Sequence, residues 1–192
     1  MTRGGEQEVS VDEARRSGLL VVRCQLGERE ALSELVRVWH APLWRYVRGL
    51  VGSAHVADDV AQDVWVAVVR GLPRLREPLR FAAWLFAIAR RAVTDHLRRA
   101  YAAEEIPAAA EDAGAAEGED APERVLNAME IEAGLSGLPL REREVLILFH
   151  LQDLPLAAVA EVLGVPPGTV KSRLHRARRL LRDVLAERGY EA

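Results

Sequence analysis

The sequence predicts an all-α protein: two small helical domains joined by a flexible acidic linker, the second containing a helix-turn-helix. Three observations carry this. The β-branched residues fall at helical spacing and nowhere alternate as they would in a strand. Residues 101–122, YAAEEIPAAAEDAGAAEGEDAP, hold almost no large apolar side chain and no Lys or Arg, so they cannot bury enough surface to offset the entropy of ordering. Residues 156–182, LAAVAEVLGVPPGTVKSRLHRARRLLR, read as a short apolar helix ending at Leu163, a turn at Gly164, and a second helix opening at Pro166-Pro167. Proline is tolerated there because first-turn amides lack intrahelical partners, and the whole is a helix-turn-helix pattern.

In chain order, a polar tail of residues 1–17 comes first, without the apolar core of a signal peptide. The first domain, 18–100, holds helices expected near 19–26, 28–51, 55–71 and 78–99. Gly27 and Gly52-Ser53 punctuate the first three, and Pro73 and Pro78 bracket a loop from Arg74 to Glu77. The acidic linker, 101–122, follows. The second domain, 123–188, holds helices expected near 122–136, 139–152, 155–163 and 166–187, with Leu138-Pro139 and Leu154-Pro155 at boundaries.

Three helical faces carry candidate chemistry. On 55–70, HVADDVAQDVWVAVVR, the residues Val56, Val60, Val64, Ala67 and Val68 point inward, while Asp59, Gln62, Asp63 and Val66 share another face at i, i+3, i+4 and i+7. On its own that acidic face reads as solvated surface. On 81–99, Trp84, Leu85, Ile88, Ala92 and Val93 are packing residues, and Arg90, Arg91, Thr94, Arg98 and Arg99 suit a phosphate backbone. Aromatic and cationic side chains together also suit single-stranded nucleic acid. On the last helix, Val170, Leu174, Ala177, Leu181 and Val184 form the core face, and Lys171, Ser172, His175, Arg176, Arg179 and Arg182 spread over the other. From 171 to 182 there are six Lys or Arg and no acid, which points to nucleic-acid contact rather than to a solvated amphipathic helix.

The formal net charge of −3 conceals this segregation. Residues 101–123 carry eight acids, and the cations cluster at 90–99 and 171–182. Cys24 is the single cysteine, so no intrachain disulfide forms and a reducing compartment follows. Arg, Asp or Glu interrupts every apolar run before it reaches membrane-spanning length. The expectation is a cytoplasmic protein with no membrane insertion. Catalysis has little to stand on: the five histidines are scattered, no Gly-rich phosphate loop or nucleophile motif occurs, and Asp95-His96 has no further ligand at metal spacing. No cofactor, metal site or enzymatic activity is expected.

These pieces fall in an order that resembles the sigma-70 family of bacterial transcription initiation factors, in particular its two-domain extracytoplasmic-function group. Asp59-Val60-Ala61-Gln62-Asp63-Val64-Trp65 resembles the family's D-L-x-Q-E-x-F. The run from Phe81 to Arg90 resembles F-x-x-W-L-x-x-I-A-R, and Asp95-His96-Leu97-Arg98-Arg99 resembles D-x-x-R-R. Leu138-Pro139 through Glu144-Val145 resembles L-P-x-x-x-R-E-V, and Gly168 to Arg178 resembles G-T-V-K-S-R-L-x-R-A-R. The resemblance implies that Asp59, Gln62 and Asp63 dock on core RNA polymerase. It implies that the 75–80 loop and the helix after it hold the minus-ten element, through Leu75, Arg76, Arg80, Trp84, Arg90, Arg91 and Arg98. It gives the minus-thirty-five element of promoter DNA to Thr169, Lys171, Ser172, Arg173, His175, Arg176 and Arg179. It also implies an anti-sigma factor as a partner. The chain departs from the family pattern at Leu75-Arg76-Glu77-Pro78, where Phe-Arg-Gly is usual, at Arg91 for a common Asn, and at Pro155 for a Ser or Thr cap.

Two rival readings compete. An autonomous helix-turn-helix regulator would need a dimerisation or sensor domain, with half-sites set by symmetry. A helical enzyme would have to work through Asp95 and His96.

Overall fold

The computed structural model describes residues 3–103 and 134–187. Among them every regular element is helical. The first group comprises α1 (Arg3–Gln25), α2 (Arg29–Val51), α3 (Ala54–Gly71), two single 3₁₀ turns (Leu72–Arg74 and Pro78–Arg80) and α4 (Phe81–Ala103). The second comprises a short helical stretch at 134–136, α5 (Leu140–Leu146), a π turn (Ile147–Leu151), α6 (Leu156–Leu163) and α7 (Pro167–Glu187). Most of the linker expected at 101–122, and most of the helix expected at 122–136, lie outside the described residues.

The amphipathic helices form where their apolar period places them. α2 buries Ala31, Leu35, Trp39, Leu43, Tyr46, Val47 and Leu50 on one stripe. Its Pro42 removes one backbone donor without ending the helix. Gly52, at φ 78°, supplies the left-handed stop. Ser53 then caps α3, its hydroxyl accepting from the Val56 amide at 3.5 Å. The centre of the group is aromatic: Trp39 meets Phe81 and Phe86 edge-on at 5.8 and 6.2 Å, and Tyr46 meets Phe86 at 5.2 Å. In the helix-turn-helix, Gly164 takes φ 64° at the end of α6 and Val170, Leu174 and Ala177 of α7 are buried.

Four expectations are corrected. The first helix starts at Arg3, not near 19, so the polar stretch of 1–17 is largely helix. Its Ser17 is 2% exposed and its hydroxyl accepts from the Trp39 indole N–H at 3.0 Å. α4 continues to Ala103, past the 99 expected. The helix expected at 139–152 is α-helical only to Leu146 and then widens into the π turn. Asp153, at φ 48°, and Leu154, whose amide donates to the Leu148 carbonyl, redirect the chain after it. On α3 Ala67 is exposed, and the inward stripe is Ala57, Val60, Ala61, Val64 and Val68.

Candidate polymerase and nucleic-acid interfaces

On α3, Asp59, Gln62 and Asp63 are all exposed, with Val66 and Val69 beside them on the same face at 43% and 47% exposure. Asp58 behaves differently: its carboxylate accepts from the Trp44 indole N–H at 2.7 Å and so helps fasten α2 to α3. The exposed face therefore combines carboxylates with apolar side chains that nothing in the fold covers.

The loop between the 3₁₀ turns is tied down from α1. The Gln25 side-chain amide donates to the carbonyls of Leu72 (3.0 Å) and Leu75 (2.8 Å). Leu75 is half-buried and packs against the core, while Arg76 is exposed. Arg80 pairs with Glu77 at 2.8 Å and also with Glu161 of α6. Trp84 is half-buried. Its ring lies 6.0 Å from Phe81 and directly over Gly71, where a Cβ would meet Cζ2 at 2.8 Å. Arg91 and Arg98 are exposed, Arg91 donating to the Ala87 carbonyl and Arg98 lying 3.7 Å from Asp95.

Arg90 stands apart from its neighbours. It is half-buried and donates to Glu144 of α5 at 3.1 Å. The same carboxylate accepts from the Tyr46 hydroxyl at 3.0 Å. Burial raises the Glu144 carboxyl above its ordinary value, against the opposing pull of Arg90, Tyr46 and Arg173. Burial also pushes the Tyr46 hydroxyl up, and the Glu144 charge adds to it. Next to this group, Arg143 donates to the carbonyls of Ser136 (2.6 Å) and Leu138 (3.0 Å) and reaches the Gly49 carbonyl at 3.4 Å.

On α7, Lys171, Ser172, His175, Arg176 and Arg179 are exposed, while Thr169 and Arg173 are half-buried. At 100° per residue, Lys171, Ser172, His175, Arg176, Arg179 and Arg182 fall within an arc of about 140°, so one helix face carries them all. Ser172 turns its hydroxyl back to the Thr169 carbonyl at 2.9 Å. Arg176 lies 3.3 Å from Glu142. Arg178 belongs to the fold side: it donates to the His150 ring and sits 5.8 Å over Phe149. Burial and the Arg178 charge hold His150 below its ordinary value, so it accepts as a neutral ring.

The acidic set on α3 is exposed and the exposed members of the α7 set share one helix face, while Leu75, Trp84, Thr169 and Arg173 are half-buried and Arg80 and Arg90 are claimed by carboxylates of the second helical group. Sequence reasoning did not find Gln25, Tyr46, Gly49 or Glu144. Only Glu144 lay in a motif, and no spacing pairs it with an arginine 54 positions away. Among the described residues no group of His, Cys, Asp and Glu could hold a metal ion, and no helix is long and apolar enough to cross a membrane.

Comparison with known proteins bears on all of this. Residues 35–102 match the family model for sigma-70 region 2, and residues 128–181 match that for sigma-70 region 4. The extracytoplasmic-function (ECF) RNA polymerase sigma factor SigD of Mycobacterium tuberculosis is 34% identical over 188 residues, covering 92% of this chain and 87% of its own. The chain belongs to the sigma-70 family, in its extracytoplasmic-function group. SigM of the same organism is 34% identical over 159 residues, covering 83% of this sigma factor and 79% of SigM. Among solved structures, the sigma factor RpoE of Bartonella quintana, in complex with the anti-sigma factor NepR, superposes with a TM-score of 0.70 at 24% identity. That match covers 80% of this sigma factor and 95% of RpoE. The fold of the two helical groups is therefore the sigma fold.

Proposed function

We propose that this sigma factor divides its work among the three faces above. It binds core RNA polymerase, directs it to promoters and assists DNA melting, as its family does. Asp59, Gln62 and Asp63 dock on basic clamp helices of the large polymerase subunit. Leu75, Arg76, Arg80, Trp84, Arg90, Arg91 and Arg98 receive the melted minus-ten strand. Thr169, Lys171, Ser172, Arg173, His175, Arg176 and Arg179 engage the minus-thirty-five element in the major groove. The domains are 18–100 and 123–188, with the acidic segment between them. The protein works by binding, not by catalysis, inside the cytoplasm. An anti-sigma factor restrains it, as NepR is bound to the Bartonella relative.

The observation that supports this best is the opposite charge of two exposed helix faces, acidic on α3 and cationic on α7. An autonomous regulator has no use for the first. Because Asp59 and Asp63 are exposed, the Asp59→Arg, Asp63→Arg double variant should fold with a stability change within about 0.5 kcal/mol. Like charges across an interface repel, so it should fail to co-elute with core polymerase and should not support transcription. A folded variant that joins core and transcribes normally overturns the docking assignment.

A further inference from the structure

We propose that α1 frames the minus-ten loop, and that its Gln25 and Gly18 are positioning residues that set the geometry in which the loop reads a base. The proposal rests on the assignment of the 75–80 loop to the minus-ten strand given above. It concerns a helix that lies ahead of the residues matching sigma-70 region 2, which begin at 35.

Gly18 and Gln25 stand about two helical turns apart and so on one face of α1. At one end of the loop, the Gln25 side-chain amide donates to the Leu72 and Leu75 carbonyls at 3.0 and 2.8 Å. The Leu72 carbonyl also accepts from the Leu75 amide at 3.1 Å, so Gln25 closes over a turn that the backbone has already made. At the other end, the second 3₁₀ turn lies flat on Gly18. A Cβ there would come 2.9 Å from Leu79 Cδ2, and 3.4 Å from both the Leu79 nitrogen and the Pro78 carbonyl carbon. Gly18 is buried in mid-helix, where glycine weakens a helix relative to alanine. What it gives in return is the close approach of the loop.

The frame is itself fixed. Leu20 and Val21 of α1 are buried, and the Ser17 hydroxyl accepts from the Trp39 indole N–H at 3.0 Å. Between the two anchors, Arg76 and Glu77 remain exposed. Leu75 packs its side chain on the core and gives its carbonyl to Gln25, so one of the acceptor directions at which a base could be read is already taken. Hydrogen-bond readout separates one base from another only where the reading groups keep their distance and angle. Gln25 and Gly18 supply that constraint through the loop backbone, without themselves meeting the DNA.

The test uses holoenzyme assembled from the full chain. The probe is a DNA library randomised across both promoter elements and left unpaired at the minus-ten one, from which bound members are sequenced. Gln25→Met keeps the length of the side chain and removes both donated bonds. Because Gln25 is exposed, the variant should keep its helicity and co-elute with core polymerase as the wild type does. Its base preferences should flatten about tenfold at adjacent minus-ten positions, the scale of two neutral hydrogen bonds, with minus-thirty-five preferences unchanged. In the free variant the Leu75 amide should exchange with deuterium faster than in the wild type. Gly18→Leu, which displaces the turn at the other end, should alter preference at the same positions. A profile identical to the wild type's, or a uniform loss of affinity across the library, overturns the proposal. Leu75→Ala and Arg76→Ala separate it from the reading beneath it. If they change the minus-ten profile and Gln25→Met does not, the framing role alone fails. If none of the three changes it, the assignment of the loop to the minus-ten strand fails, and the framing role with it.

Discussion

Arg176 shows how a single side chain can be held and yet available. Its guanidinium lies 3.3 Å from Glu142; its own side chain is 62% exposed while that of Glu142 is only 10% exposed, so Arg176 is the partner with room to swing out. Leaving Glu142 for a guanine edge strands a largely buried carboxylate, so the base contact must outweigh that loss; where it does, Arg176→Ala should lose about 1–3 kcal/mol at one base position of the minus-thirty-five element. Arg179, one turn further along, faces the backbone in the same reading, and Arg179→Ala should weaken all promoters alike. Holoenzyme affinities over a set of single-base promoter variants separate the two. At Gly71 the demand is for room. An alanine there would press on the Trp84 ring at 2.8 Å, and a ring edge has no soft end to swing away. Gly71→Ala should cost about 1–3 kcal/mol from overpacking, less what alanine returns to the helix, read as a lowered denaturant midpoint. At this scale the sequence disclosed exposure well. Asp59, Gln62 and Asp63 lie off the apolar stripe, and that alone forecast their surface position. It did not disclose partners, because the carboxylates that hold Arg80 and Arg90 are 81 and 54 positions away.

Helices with a strong apolar stripe were legible as elements: α2, α3, α6 and α7 begin and end within a residue or two of where period, glycine and proline place them. α4, expected at 78–99, runs from Phe81 to Ala103, and the other two that were misjudged lack that signal. The start of α1, RGGEQEVSVDEARR, is polar all round, so periodicity is silent and only the helix-forming tendency of Glu, Gln, Ala and Arg speaks for it. The π turn has the same apolar residues that an α turn would have, and the change of hydrogen-bond register is written in no pattern of side chains. Caps, in contrast, are local chemistry and can be tested one at a time. Ser53 accepts from the Val56 amide at 3.5 Å, a long bond, so Ser53→Ala should cost toward the lower end of the usual range of about 0.5–2 kcal/mol. A thermal melt would register it as a small drop with the α3 interface otherwise intact.

For the molecule as a whole, net charge and internal ion pairing pull in the same direction. The net charge is −3, and Arg80 and Arg90 already have carboxylates beside them. Affinity for DNA scales with the phosphates that a protein can neutralise. The free protein should therefore bind promoter duplex weakly at physiological salt, with the bulk of its affinity appearing only in the holoenzyme. A tight complex with promoter DNA in a mobility-shift assay without polymerase would contradict this and favour the autonomous regulator. The division into two helical groups was visible in the sequence because an apolar-poor stretch separates them. Their contact was not visible, for it depends on one glycine in α2, Gly49, where a Cβ would lie 2.7 Å from Ile147 Cδ1, and one glutamate in α5, Glu144, that composition treats as ordinary.

On the proposed assignment, the loop at 72–80 would meet DNA with much of its freedom already spent. Two of its carbonyls are held by Gln25, a residue fifty positions upstream on a different helix. A recognition loop stiffened in advance loses less entropy when a base arrives, and it is also less able to reshape itself around the wrong one. If that loop receives the minus-ten strand, promoter choice would be shared with α1, the helix that carries Gln25. Sequence drift in α1 could retune which promoters are opened while every residue facing the DNA stays the same.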